Sequence, residues 1–179
     1  MSRSNPYKKK QRFAKKTILV FGEGLGEEMF LRHLKSLYAR DTGVQVKICR
    51  GKGGSADRIV IDADKLLGAF DKRVVVFDCD KVKAEMEKAR KEAEIRGIIL
   101  LEHKPCLESV LLAILNDGKM VGVKNSDWCK KEFESKYLEK KKRSELKEYE
   151  KLFPKSLLDR QRKKIVELGR MVATIKGEE

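Results

Sequence analysis

The stretch VVVFDCD at residues 74–80 joins a continuous apolar run to two acidic residues. A second apolar run, ILVF at residues 18–21, leads into Gly22-Glu23-Gly24 in the same way. Continuous apolar runs of this length are typical of strands in a parallel sheet that is buried on both faces. Ligands of such sheets bind beyond the carboxyl ends of the strands. We therefore expect Glu23, Asp78 and Asp80 to lie together at one edge of the sheet.

This acidic trio predicts a metal site. Asp78 and Asp80 are two positions apart, so in strand geometry both side chains leave from the same face, roughly 6 to 7 Å apart at their origins. Like charges at that separation repel unless a cation lies between them. Mg²⁺ prefers oxygen ligands and leaves positions for water and phosphate, and Mn²⁺ is an alternative. The competing interpretation is that these acids only cap helices or stabilise turns.

The order of apolar segments predicts the fold. Strand and helix alternate four times, which indicates an α/β fold with a small, Rossmann-like parallel sheet flanked by helices. We expect a basic, flexible tail at 1–16, a catalytic α/β domain at 17–118 and a basic helical extension at 119–179. In the extension, residues 139–145 have no apolar face and form either a solvent-bridging helix or a bend. The predicted strands are 17–22, 45–49, 72–77 and 98–101, and the predicted helices are 27–40, 57–67, 82–96, 107–115, 126–153 and 154–172.

The net charge of +14 lies at the two ends of the sequence. Residues 1–16 carry a net charge of +7 and residues 119–179 another +7, whereas residues 17–118 are neutral. Basic flanks around an acidic pocket suit a polyanionic partner such as DNA or RNA, because Lys and Arg neutralise its phosphates. The alternative is a solvated charged surface, the usual fate of charge runs.

The cysteines and the apolar segments bear on location. The 4 cysteines are scattered and only 2 histidines accompany them, which favours neither a zinc site nor a disulfide framework. A reduced compartment is the simplest setting. No apolar stretch reaches the roughly 18 residues that a membrane span needs, and the basic start lacks the apolar segment of a secretory signal. We expect a soluble, cytoplasmic protein without a membrane partner.

A basic, glycine-rich segment, RGKGGS at residues 50–55, leads into the second predicted helix. Its backbone amides can hold a phosphate, although a tight strand-to-helix turn needs glycine in any case. The segment does not match the P-loop pattern. The predicted phosphate or nucleic-acid contacts are Arg50, Lys52, Gly53, Gly54 and Ser55, together with Lys81 next to Asp80.

The segment LEHKPCLE at residues 101–108 closes the fourth strand at the same edge. Glu108 falls in the first turn of the next helix, where it either favours the helix dipole or serves as a further metal or water ligand. His103 is either a structural residue or an acid or base catalyst.

Taken in order, four motifs resemble the RloB-like proteins of the Toprim superfamily over residues 17–116. They are Gly22-Glu23-Gly24 with Glu27, the segment GKGGS at 51–55, Phe77-Asp78-Cys79-Asp80, and KPCLE at 104–108. The superfamily has a small parallel α/β sheet and includes topoisomerases, primases, recombination proteins and nucleases. The chain departs from the group at Gly26, where threonine is usual, and at Leu107, where an aromatic residue is usual.

The resemblance implies roles for the acidic residues. Glu23 matches the superfamily's general acid or base, and Asp78 and Asp80 match its Mg²⁺-binding pair. Glu27 and Glu108 match acidic positions of the RloB-like group, so the implied catalytic residues are Glu23, Glu27 and Glu108. The group is associated with bacterial restriction and antiphage loci, which implies a defence nuclease.

Three functional hypotheses follow. The leading one is a metal-dependent nuclease that acts on DNA or RNA, with a second copy or a defence-system protein as a further partner. A non-catalytic basic binding module is the first alternative, and a haloacid-dehalogenase-like phosphatase is the second. The nuclease hypothesis requires that Glu23 lies beside Asp78 and Asp80 and that lysines do not lock the aspartate oxygens in ion pairs.

Overall fold

A computed structural model describes residues 16–40, 42–120, 122 and 124–178. The predicted tail at 1–16 lies outside the described residues except for Lys16, which is the first residue of a strand. The elements in chain order are β1 Lys16–Gly22, α1 Leu25–Tyr38, β2 Val44–Arg50, α2 Ala56–Lys65, β3 Lys72–Asp78, α3 Lys83–Ile95, β4 Ile99–His103, α4 Leu107–Leu115, α5 Ser126–Lys136, a 3-10 helix Lys140–Lys142, α6 Leu146–Leu152, α7 Lys155–Gln161 and α8 Val166–Lys176.

The four strands form one sheet in the order β2-β1-β3-β4, and every neighbouring pair is parallel. The predicted α/β fold class is therefore confirmed. The two central strands each end in five consecutive buried residues, whereas the edge strand β2 alternates between buried and exposed positions. This difference follows from position, because only the central strands are covered by neighbours on both sides as well as on both faces.

Helices cover both faces of the sheet. On one face, α2 and α3 pack against Phe21, Val75 and Phe77. On the other face, α1 and α4 pack against the alternate residues of the central strands, and the same hydrophobic core continues into the C-terminal helices. The members of this core from beyond residue 118 include Phe133, Tyr149, Phe153, Leu158, Leu168, Met171 and Ile175.

The C-terminal helices differ from the sequence prediction in two places. Residues 139–145 form a bend that contains the 3-10 helix, so the continuous helix predicted over 126–153 is interrupted there. The single helix predicted from Pro154 to residue 172 is wrong, because α7 ends at Gln161 and α8 begins at Val166. Arg162, Lys163 and Lys164 offer no apolar side chain between them, and the chain turns there to bury Ile165.

Among the described residues, no helix combines the length and the apolar character needed to cross a membrane.

Candidate active site

Carboxylates gather where the central strands end. Asp78 is the last residue of β3 and is buried. Glu23 follows β1 directly, and its Oε2 accepts a hydrogen bond of 3.3 Å from the backbone N–H of Asp78. The Oδ1 atom of Asp78 in turn accepts a 2.8 Å hydrogen bond from the backbone N–H of Leu107, at the start of α4. Asp78 therefore joins the end of β1 to the N-terminus of α4.

Two further buried acids, Glu27 and Glu108, lie in the first turns of α1 and α4. The Oε2 atom of Glu27 accepts a 3.0 Å hydrogen bond from the N–H of Gly24, so the side chain folds back over the turn after β1. The Oε2 atom of Glu108 is buried and has no hydrogen-bond partner among the described residues. The structure thus brings Glu27 and Glu108 to the same edge as Asp78.

Gly22 allows this close approach. A Cβ atom at Gly22 would lie only 2.7 Å from the Cβ of Glu27. Real side chains do not approach so closely, so any other residue here would push α1 away from the end of β1. A Cβ at Gly26 would meet only Leu107 Cδ2 at 3.7 Å, which is an ordinary contact.

The buried acids raise one another's proton affinity. Burial raises the pKa of Asp78 above its ordinary value, and the charges of Glu27 and Glu108 add to this, while Lys130 and the Leu107 amide oppose it. Burial also raises the pKa of Glu27, helped by the charges of Glu108 and Glu23. Carboxyl groups with raised pKa values are suited to proton transfer near neutral pH.

Lysine ammonium groups lie between the carboxylates. Lys130 Nζ is 3.4 Å from Asp78 Oδ2 and 3.3 Å from Asp80 Oδ2. Lys81 Nζ is 3.7 Å from Glu23 Oε1 and 3.9 Å from Asp80 Oδ1. The first requirement of the nuclease hypothesis, proximity of Glu23 to the aspartates, is met, but the aspartate oxygens do contact lysines. The second requirement is not met: Lys130 forms ion pairs with Asp78 and Asp80, and its Nζ donates a 3.3 Å hydrogen bond to Asp80 Oδ2. A metal ion must therefore displace this ammonium to bind both aspartates.

The residues present fit a hard divalent cation. Oxygens of Asp78 and Asp80 already converge on one positive charge, the ammonium of Lys130. Ligand atoms of Asp78, Cys106 and Glu108 also lie within 4.8 Å of one another. Burial raises the pKa of the Cys106 thiol strongly, so the sulfur stays protonated and is a poor ligand for Mg²⁺. The remaining donors are carboxylate oxygens, which Mg²⁺ and Mn²⁺ prefer.

No sequence pattern points specifically to Lys130, Lys140 or Arg143. All three come from the helical extension and line a cavity of about 350 Å³ together with Glu23, Glu27, Asp78 and Glu108. Arg143 Nη2 lies 3.7 Å from Glu108 Oε1 and 2.6 Å from Glu134 Oε1. The only available signal was the positive charge of the extension, which does not distinguish these residues from its other lysines and arginines.

One amide at the end of the glycine-rich segment is already occupied. The first amide of α2, Ala56 N–H, donates a 2.8 Å hydrogen bond to Glu85 Oε1, so a carboxylate from α3 already takes the position of an anion there. Arg50 Nε lies 3.2 Å from Glu28 Oε2 on α1. The next predicted contacts, Lys52, Gly53, Gly54 and Ser55, are exposed after the end of β2. Gly53 and Gly54 adopt positive φ angles of 79° and 127°, which accounts for their glycine identity by turn geometry.

His103 lies behind Asp78 and does not line the acidic cavity. Its side chain is 1% exposed, and Nδ1 is 4.0 Å from Asp78 Oδ1, too far for a hydrogen bond. Burial lowers the pKa of His103 to about 4, so the ring is neutral near pH 7. This position fits the structural interpretation better than acid or base catalysis.

The phosphatase alternative gains no support from the sheet. It needs paired acidic residues after a later strand, and the last strand in the described part of the chain, β4, ends in Glu102-His103. Glu102 is held by Arg90 through hydrogen bonds of 2.7 and 2.8 Å and is not available to the site.

No protein-family model, no curated protein and no solved structure matches this chain. The fold and the site define an α/β protein with a carboxylate cluster at the C-terminal edge of a parallel sheet, overlaid by basic residues of the C-terminal helices. Such a site can bind a divalent cation, transfer protons and attract a phosphate.

Proposed function

We propose that this chain is a Mg²⁺- or Mn²⁺-dependent nuclease that cleaves phosphodiester bonds of DNA or RNA. The observation that carries the proposal is the convergence of Glu23, Asp78 and Asp80 on shared positive charge at the sheet edge. These three residues would hold the metal. A bound divalent ion would polarise the scissile phosphate and lower the pKa of an attacking water.

The protein's own part in the chemistry is to move protons and to place the phosphate. Glu27 lines the cavity and uses only Oε2 in its hydrogen bond to Gly24, which leaves Oε1 for a water or a leaving oxygen. Its raised pKa suits a group that both accepts and donates a proton near neutrality. Glu23 is the general acid or base that the Toprim resemblance implies, and its Oε1 lies 3.7 Å from Lys81 Nζ.

The same proposal includes a biological setting. Resemblance to the RloB-like group suggests antiphage defence, and the free state of all four cysteines suits a reducing cytoplasm. The net charge of +14 suits a nucleic-acid substrate.

The test is cleavage of mixed DNA and total RNA by the purified chain with Mg²⁺ or Mn²⁺, with and without chelator. Asp78→Asn keeps the shape of the side chain and removes its charge, so we expect it to abolish cleavage. Glu94→Gln is the matched control, because Glu94 is exposed on α3. Equal cleavage by wild type and Asp78→Asn would refute the proposal.

A second candidate, a non-catalytic nucleic-acid-binding module, is favoured by one observation. Lys130 and Lys81 supply positive charge to the carboxylates, so the cluster is also able to act as a structural ion-pair network. In that case a variant with both Asp78→Ala and Asp80→Ala would bind nucleic acid as tightly as wild type and retain its biological activity. For the nuclease, the same variant would lose activity while keeping any binding that depends on the basic surface.

A further inference from the structure

Basic side chains of the helical extension form one wall of the acidic cavity. Lys130 comes from α5, Lys140 from the 3-10 helix, and Arg143 follows that helix. The cavity is also lined by Glu23, Glu27, Asp78 and Glu108, which come from the sheet edge and the helices next to it. A cavity lined by both signs of charge can hold a metal at its carboxylates and an anion at its basic side chains.

The packing of α5 fixes where Lys130 points. Cys129 and Phe133, on the same helix, are buried in the core that the extension shares with the sheet. Lys130 follows Cys129 directly, so its Cα is held against the α/β part while its long side chain remains partly exposed. The ammonium therefore stays near the cluster through the position of the helix, even when its contacts with Asp78 and Asp80 are broken.

The charge of Lys130 is paired with two aspartates but can be released to a ligand. Its contacts with Asp78 and Asp80 are 3.4 and 3.3 Å, and 36% of the side chain is accessible to solvent. A lysine carries its charge on a flexible four-carbon stem, so rotation about the side chain moves the ammonium by several ångströms at little cost. Binding of a divalent cation by the aspartates would repel the ammonium outward, into the cavity.

On the basis of the proposed nuclease function, we propose that Lys130 is a catalytic residue that binds a non-bridging oxygen of the scissile phosphodiester. Lys140, which is exposed, binds a flanking phosphate, whereas Arg143 is held by Glu134 and Glu108. A cation placed beside the reacting phosphate stabilises the negative charge that develops on its oxygens in the transition state. The extension is thereby part of the active site, and the substrate is a chain of phosphodiesters and not a single phosphomonoester.

The opposing interpretation is that Lys130 is a fixed counter-ion, or a latch that blocks the metal site. These interpretations differ in three measurable properties: cleavage, affinity for a nucleic acid, and affinity for Mn²⁺. Lys130→Ala removes the ammonium, and Lys130→Arg retains the charge. Lys131→Ala is the matched control, since Lys131 is the next residue on α5 and is exposed.

The experiment uses the full chain and fluorescent DNA and RNA oligonucleotides of the same sequence. Binding is measured in Ca²⁺ and cleavage in Mg²⁺. We expect Lys130→Ala to lower the rate of cleavage by about 100-fold or more, the usual loss for one transition-state donor. The variant should also bind more weakly to the intact oligonucleotide, DNA or RNA, that the wild type cleaves. Lys130→Arg should recover part of both, whereas Lys131→Ala should behave like wild type. Mn²⁺ affinity, measured by electron paramagnetic resonance, should stay equal or increase in Lys130→Ala, because a competing cation has been removed.

The possible failures can be told apart. Cleavage and binding by Lys130→Ala equal to those of Lys131→Ala would overturn the role of Lys130. Faster cleavage by Lys130→Ala would identify a latch and would also overturn it. If wild type cleaves no better than Asp78→Asn, the nuclease function fails, and the role in cleavage fails with it. The binding comparison in Ca²⁺ still decides whether Lys130 contacts the phosphodiester chain.

Discussion

At the scale of single residues, the acidic cluster lowers the stability of the fold and raises the pKa values of its carboxyl groups. Asp78 is buried, accepts a hydrogen bond from Leu107 and faces the like charges of Glu27 and Glu108. A folded protein gains nothing from holding these charges together unless a cation joins them. Clusters of this kind, in which burial and neighbouring charges raise pKa values, are characteristic of functional sites.

The first prediction concerns the stability of Asp78→Asn without divalent cations. Burial and neighbouring charges raise the pKa of Asp78 to about 8 from its ordinary value of 3.8. The folded state therefore binds more protons than the unfolded state between these values, and the stability of the wild type falls as pH rises through this window. Asparagine stays neutral when it is buried, so we expect Asp78→Asn to be more stable than the wild type by about 0.5–2 kcal/mol at pH 9. The difference should be smaller at pH 5, where the folded Asp78 is still protonated.

Thermal unfolding in chelator at the two pH values measures this difference. Asp80→Asn is the control, because the Asp80 side chain is more exposed and its change should matter less. Adding Mn²⁺ should reverse the order, since a ligand at 100 times its Kd stabilises the wild type by about 2.7 kcal/mol and leaves Asp78→Asn unchanged. A wild type that is more stable than Asp78→Asn at pH 9 in chelator would contradict the charge argument.

The second prediction compares two glycines. Gly22→Ala would place a Cβ 2.7 Å from the Cβ of Glu27, so α1 must shift away from β1. We expect a loss of about 1–3 kcal/mol, the typical cost of overpacking, together with a loss of cleavage. Gly26→Ala has room and lies within α1, so it should be neutral or stabilising by up to about 1 kcal/mol. Urea unfolding of both variants measures this, and equal effects at the two positions would show that the Gly22 contact is unimportant.

At the scale of elements, the C-terminal helices are held to α1 by both polar and aromatic contacts. His33 Nε2 on α1 lies 2.8 Å from the carbonyl oxygen of Phe153, just after α6. The rings of Phe30 and Phe153 pack edge to face at 5.3 Å. Because His33 is buried, its ring nitrogen satisfies a carbonyl that the end of α6 would otherwise leave without a partner.

The third prediction follows from the titration of His33. Burial lowers its pKa below the ordinary 6.5, although the Phe153 carbonyl and the charge of Glu150 oppose this. The unfolded chain therefore binds a proton that the folded chain does not, and stability falls as pH decreases below 6.5. The slope from one such group is at most about 1.4 kcal/mol per pH unit. His33→Gln keeps a donor for the carbonyl and should flatten the dependence between pH 6.5 and 5.

Urea unfolding at several pH values measures these slopes. His103→Gln is the comparison, because the pKa of His103 is lowered to about 4 by burial and its contribution has the same sign. Each single variant should lose part of the slope. Identical slopes in wild type and His33→Gln would mean that His33 is protonated without penalty in the folded state.

Elements also differ in how far the sequence predicts them. The central strands and α4 are predictable because a segment buried on all sides must be apolar throughout, as Val74, Val75 and Val76 are. The break between α7 and α8 is not, because a run of Arg and Lys is compatible with an exposed helix turn or with a bend. Glu23 and Asp78 can also be predicted from the sequence, because each lies where an apolar strand ends. Lys130 and Arg143 cannot be predicted in this way, since their positions depend on how α5 and the bend after it pack against the α/β part.

At the scale of the whole molecule, the hydrophobic core continues across the predicted boundary at residue 118. Leu168, Met171 and Ile175 of α8 are fully or almost fully buried in the same core as Ile18 and Val20 of β1. The extension therefore supplies the cover for one face of the sheet as well as one wall of the cavity. Fold and proposed active site depend on the same helices.

The fourth prediction is that residues 1–118 do not form a stable fold alone. Without the extension, this fragment would expose Phe30, Leu34 and Leu111, which are buried in the shared core. Exposing each of these side chains lowers the free energy of unfolding by about 1.5–3 kcal/mol. The three losses together are comparable to the whole stability of a typical domain, about 5–15 kcal/mol. The matched control is a full chain with a protease site inserted between residues 119 and 124, where the flanking residues are exposed, and then cut. We expect the cut protein to keep its far-ultraviolet circular dichroism and its cooperative melting, since the packed helices remain in place. The fragment 1–118 should melt without cooperativity and bind a hydrophobic dye.

A cooperative transition of the fragment near the melting temperature of the full chain would contradict this prediction. It would show that the α/β part covers its sheet without the extension. Lys130 would then be brought to the site by an appendage and not by the core.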